Sequence, residues 1–148
     1  MRYFAKHTIA AMAGICMAGA VAAQEPYKAY PFDGDFEDAT FAVENAILDR
    51  GLVIDWTSRV GEMLDRTGAD VGSDIRIFDN ADIFMFCSAV LSRKVMEADP
   101  MNIAFCPYGV FVADRDGSVV VGYRTLPEGV MQEVQGLLDA IAREATDY

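Results

Sequence analysis

Between Ile103 and Arg124 the chain reads IAFCPYGVFVADRDGSVVVGYR, and this stretch decides the fold. Two β-branched and aromatic runs, Ile103 to Ala113 and Ser118 to Arg124, flank Asp114-Arg115-Asp116-Gly117. That spacing predicts a β-hairpin, with Gly117 supplying the positive φ the loop needs. Immediately downstream, Val130, Val134, Leu137, Leu138, Ile141 and Ala145 form an apolar stripe at helical spacing. Thr125 and Glu128 stand at capping-box positions and Pro127 suits a first turn. A hairpin followed by a one-sided helix predicts an α+β fold, a mainly antiparallel sheet covered by helices on one face.

The upstream sequence extends the pattern. A short strand is expected around Tyr27 to Phe32. A helix capped by Asp35 or Asp38 carries Phe36, Ala39, Val43, Ala46 and Ile47 and stops at Gly51. Leu52 to Trp56 reads as a strand, with Trp56 in the core, and Ser58 to Thr67 as a shorter helix. Ile75 to Cys87 is rich in strand formers, and Asp79-Asn80-Ala81-Asp82 is expected to divide it into two short strands. Ser88 to Ala98 has helical spacing and ends at Asp99-Pro100.

The amino end follows a secretory pattern: basic Arg2 and Lys6, an apolar run from about Thr8 to Ala20, and small residues at Val21-Ala22-Ala23. The run is shorter than the ~20 residues that span a bilayer. Residues 1–23 are therefore expected to be a signal peptide, and 24–148 a single domain in the periplasm or outside the cell, with no membrane attachment after cleavage. The only histidine, His7, and Cys16 leave with the signal. Of 12 basic and 23 acidic residues, cleavage removes Arg2 and Lys6 and leaves a formal charge of −13. Such an acidic protein repels nucleic acid.

Without histidine, the mature chain has no Ser-His-Asp triad and no imidazole metal site. No glycine-rich phosphate loop is present. The carboxylates at Glu62, Asp65, Asp70, Asp74, Asp79, Asp82 and Asp99 form neither a calcium loop nor a matched acid/base pair. No catalytic residue, cofactor or metal is assigned, and whether the chain is an enzyme stays open, a non-enzyme being the expectation.

Two cysteines remain, Cys87 and Cys106, nineteen positions apart with an expected helix between them. A helix and an extended return can bring their ends together. Three readings stay open: a structural disulfide, in keeping with export and an even count; two reduced core cysteines; or reactive thiols for redox exchange or cuprous-ion capture. Cys87 at a helix N-terminus favours a thiolate, whereas Phe84, Phe86 and Phe105 imply burial and a raised pKa. Tyr108, Tyr123 and Arg124 are the candidate binding residues, with Arg124 just before the capped end of the last helix.

Phe86-Cys87-Ser88-Ala89, Glu97-Ala98-Asp99-Pro100 with Asn102-Ile103, Phe105-Cys106-Pro107-Tyr108 and Gly122-Tyr123-Arg124 together resemble the DUF302 family over about Tyr30 to Glu144. The resemblance implies a β-α-β-β-β-β-α core of the TATA-binding-protein-like type, here with Ser58 to Thr67 and Ser88 to Ala98 as inserted helices. It also implies a homodimer, and no established catalytic residue. Cysteine-free relatives imply that the fold does not require the pair. The function expected is an exported accessory or binding domain with a Cys87–Cys106 disulfide. The alternative is a thiol-based redox or soft-metal protein.

Overall fold

The structure, a computed structural model, describes residues 25–147, so the expected signal peptide, with His7 and Cys16, lies outside the described residues. Strand β1, Tyr27–Pro31, leads to helix α1, Phe36–Leu48. Asp35 caps that helix, its carboxylate accepting the Asp38 N–H at 2.9 Å. Strand β2, Val53–Ser58, and helix α2, Val60–Thr67, follow. Then come β3, Asn80–Cys87, α3, Ala89–Ala98, β4, Tyr108–Arg115, β5, Ser118–Arg124, and α4, Met131–Thr146.

All pairings are antiparallel and the strand order is β1-β5-β4-β3-β2. Helix α1 therefore carries the chain from one edge of the sheet to the other, across one face. Alternation along the strands supplies that face with Phe84, Phe86, Tyr108, Val110, Val112, Val119, Val121 and Tyr123. Against them α1 brings Ala39, Val43 and Ile47, and α4 brings Val134, Leu138 and Ile141. The expected α+β core with two inserted helices is the fold observed. No helix of the described residues is long and apolar enough to cross a membrane.

Four local expectations are corrected. Asp79–Asp82 does not break a strand: β3 begins at Asn80 and runs unbroken, and no strand covers residues 75–79. The turn-forming residue Asp79 instead serves the neighbouring hairpin, its carboxylate accepting the Asp116 N–H at 2.8 Å. Ile103 does not start a strand, because Asp99 caps a 3-10 helix over Pro100–Phe105 and β4 begins at Tyr108. The capping box does not form. Thr125 donates its hydroxyl to the Glu25 carbonyl, the Leu126 N–H goes to Gln135 Oε1 at 2.7 Å, and α4 starts only at Met131. Trp56, finally, is 66% exposed, because β2 is an edge strand and the bulge at Asp55 sets Trp56 opposite Met85 on the face that α1 and α4 leave uncovered.

In the β4–β5 hairpin, Arg115 pairs with Ser118, leaving a two-residue loop. Asp116 and Gly117 have φ of 55° and 75°, the geometry of a type I′ turn, which explains the Asp-Gly pair.

Candidate functional site

Two features can do chemistry, and both lie toward the uncovered side of the sheet. The first is the cysteine pair. Strand β3 ends at Cys87; Ser88 caps α3, its hydroxyl accepting the Leu91 N–H at 3.3 Å. After α3 the 3-10 turn brings the chain back, and Cys106 enters β4 through a cis peptide bond to Pro107. The two Sγ atoms end 2.9 Å apart as thiols, Cys87 exposed and Cys106 half-buried. Ser92, one turn into α3, places its Oγ 4.0 Å from Cys106 Sγ and donates to the Tyr108 hydroxyl at 3.3 Å.

Burial pushes the Cys87 thiol up to about 12, and its contact with Cys106 and the charge of Asp55 add to that push. The thiolate expected from the helix N-terminus is therefore not favoured: Cys87 precedes the cap Ser88, and its sulfur faces another sulfur. The 2.9 Å gap is also narrower than the roughly 3.8 Å that two thiolates ~2.3 Å from a tetrahedral metal would span. Among the described residues no group of three or more His, Cys, Asp or Glu side chains could hold a metal ion.

The second feature is a cleft of about 730 Å³. Ala29 of β1, Val120 of β5, Gly109 and Phe111 of β4, and Ile83 and Met85 of β3 border it. Val60 and Phe78 flank it on the α2 side, and Phe105 and Pro107 on the side of the 3-10 turn. Tyr27 meets Phe111 edge to face, ring centroids 6.4 Å apart. A side chain at Gly122 would collide with the Phe111 ring and the Lys28 carbonyl; glycine there lets the ring approach β5 closely. Neither cysteine borders the cleft, although Phe105 and Pro107 stand on either side of Cys106.

The three residues read from sequence as a binding group are separated. Tyr108 and Arg124 border the cleft, but Tyr108 is only 2% exposed and Tyr123 is fully buried on the helix-covered face. Tyr123 Oη donates to Asp139 Oδ1 at 2.6 Å. Tyr30 donates to the same oxygen, and Arg143 Nε to Oδ2 at 2.8 Å. Burial opposes the charge on Asp139, but the bonds from Tyr123, Tyr30 and Arg143 outweigh it and hold the carboxyl at about 2. This polar clasp joins β1, β5 and α4. Sequence reading missed it, though Asp139 interrupts the apolar helix only one position after Leu138.

The family described as a domain of unknown function, DUF302, matches residues 28–147. Among solved structures, the crystal structure of an uncharacterized conserved DUF302 protein from Bacillus stearothermophilus is similar, with a TM-score of 0.65 at 15% identity. The likeness covers 80% of this chain and 97% of that one, and at this identity it speaks to the fold alone. No curated protein matches.

Proposed function

The chain belongs to the DUF302 family, and from that premise we propose that it is an exported binding domain whose ligand occupies the cleft on the uncovered sheet face. The cleft itself carries this reading: about 730 Å³ falls within the ~300–1,000 Å³ of small-molecule sites, which are concave and mostly apolar. Aromatic walls and a lone arginine match that description. Trp56, the only tryptophan, lies opposite the cleft residue Met85, so its emission reports occupancy. Titration with small amphipathic molecules should shift that emission saturably at one ligand per chain; emission unmoved by all of them would sink the reading.

In the same reading, Cys87 and Cys106 close to a disulfide once outside the cytoplasm. Each thiol loses a proton, and the pair passes two electrons to a disulfide-donating oxidant of that compartment. The 2.9 Å contact between the sulfurs supports closure. The raised Cys87 pKa, about 12, favours a resting crosslink over a redox thiol, which works as a thiolate. Protein recovered from the exported fraction should therefore begin near Gln24 and take up no alkylating reagent until reduced. After reduction, alkylation at Cys87 should stay slow at pH 8 and quicken as the pH approaches about 12. Rapid alkylation of native exported protein at pH 7 would instead support the redox or soft-metal alternative.

A further inference from the structure

We infer that the cleft takes a small amphipathic carboxylic acid, its apolar body against Tyr27, Phe111 and Phe105 and its carboxylate on Arg124. This deepens the binding reading above and rests on it.

Residues 25–147 hold ten basic side chains and twenty-three acidic ones. Seven of the ten, Arg50, Arg59, Arg76, Arg93, Lys94, Arg115 and Arg143, have a carboxylate within 4.0 Å. Lys28, Arg66 and Arg124 make no such pair among the described residues, and of these three only Arg124 borders the cleft. A cation left without a partner amid such an excess of acid, at the edge of an apolar cavity, is complementary to an anion that the protein does not supply.

The geometry keeps that charge available. Asp82 is the only carboxylate bordering the cleft among the described residues. It stands in the row of Val112 and Val121, two strands across and three residues along from Arg124, about 14 Å by strand spacing. Arg124 pairs in register with Tyr27, whose ring meets Phe111, so the cation stands beside the aromatic wall. Arg124 follows the Tyr123–Val110 pair and so stands at the end of β4 where Gly109, Pro107 and Phe105 border the cleft. An apolar molecule with its head there lies along β4 past Phe111 toward Val120 and Phe78. Arginine suits the role because its planar fork binds a carboxylate through two parallel N–H···O bonds. At ~0.15 M salt the Debye length is about 8 Å, so the protein's remote carboxylates repel the ligand only weakly.

The test compares decanoate, decanol and decylammonium, equal in chain length, by titration calorimetry and Trp56 emission at ~0.15 M salt, with oligomeric state followed by sedimentation. Decanoate should bind at least tenfold more tightly than decanol, and decylammonium most weakly. Arg124→Gln, an exposed change, should abolish the preference for the acid and leave decanol binding intact. Ala29→Phe, which fills the cleft, should remove all three, with thermal melts checking that both variants fold. Binding without preference for the acid, or a preference that survives Arg124→Gln, would overturn this inference and spare the binding reading. No uptake of any of the three overturns both, and a dimer that buries Trp56 and excludes all three would assign the face to a second copy of the chain.

Discussion

Asp139 shows how one residue can tie three elements together. Its carboxylate accepts from Tyr123 Oη at 2.6 Å, from Tyr30 Oη and from Arg143 Nε at 2.8 Å, while the Arg143 guanidinium lies 4.5 Å from the Tyr30 ring centroid. Because the folded carboxyl is held below its ordinary value, at about 2, the unfolded chain binds the proton more readily. The resulting stability is fully present above the unfolded pKa of about 4 and is lost as the pH falls through about 2. Denaturant melts should therefore show the wild type weakening between about pH 4 and pH 2, with that part of the acid dependence missing from Asp139→Asn. At neutral pH the substitution should cost about 1.5–3 kcal/mol, the range for hydrogen bonds to a charged group. An unchanged acid profile would show that the clasp contributes nothing. The inward position of Tyr123 was legible, since Val119, Val121 and Tyr123 alternate with Val120, Gly122 and Arg124. The same alternation places Arg124 on the opposite face, which is why the two could not share a pocket.

Helix α4 buries Met131, Val134, Leu138, Ile141, Ala142 and Ala145, and its central leucines separate two degrees of burial. Leu138 is 2% exposed, so Leu138→Ala should cost about 2–5 kcal/mol, transfer and cavity terms together. Leu137 packs at the margin of the core, and its truncation should cost less than about 2 kcal/mol. Chemical denaturation of the two variants checks the order; equal losses would mean the helix is rotated about its axis. The helix and the hairpin were legible because their signals are local: a 3.6-residue stripe and an Asp-Gly turn. The helix start was not, because Thr125 and Leu126 take their partners from Glu25 and Gln135, contacts that no short-range pattern encodes. Asp79 misled for the same reason, its turn chemistry being spent on Asp116, thirty-seven positions away. The approach of the two cysteines was legible as a possibility, whereas the cleft was not: its walls come from segments as distant as Tyr27, Phe78 and Phe105.

At the scale of the whole molecule, charge opposes compactness. Residues 25–147 carry a formal charge of −13, and the seven ion pairs that offset it are at least partly exposed. Such pairs contribute roughly 0–1 kcal/mol each. Repulsion among the remaining carboxylates is long-range, so it is screened more completely than the close pairs as salt is added. From ~0.01 M to ~0.15 M salt the Debye length falls from about 30 Å to about 8 Å, shorter than the distance across the sheet. The balance favours net stabilisation: thermal unfolding at pH 7 should move up by several degrees over that range, equivalent to about 1 kcal/mol for a domain of this size. The gain should shrink near pH 4, where many carboxylates are protonated and the repulsion is already reduced. Melting curves at the two salt levels and two pH values decide the matter. A midpoint at pH 7 that falls with added salt would mean that the close pairs, led by Arg50 with Glu144 and Lys94 with Glu133 at 2.7 Å each, outweigh the repulsion of the surface as a whole.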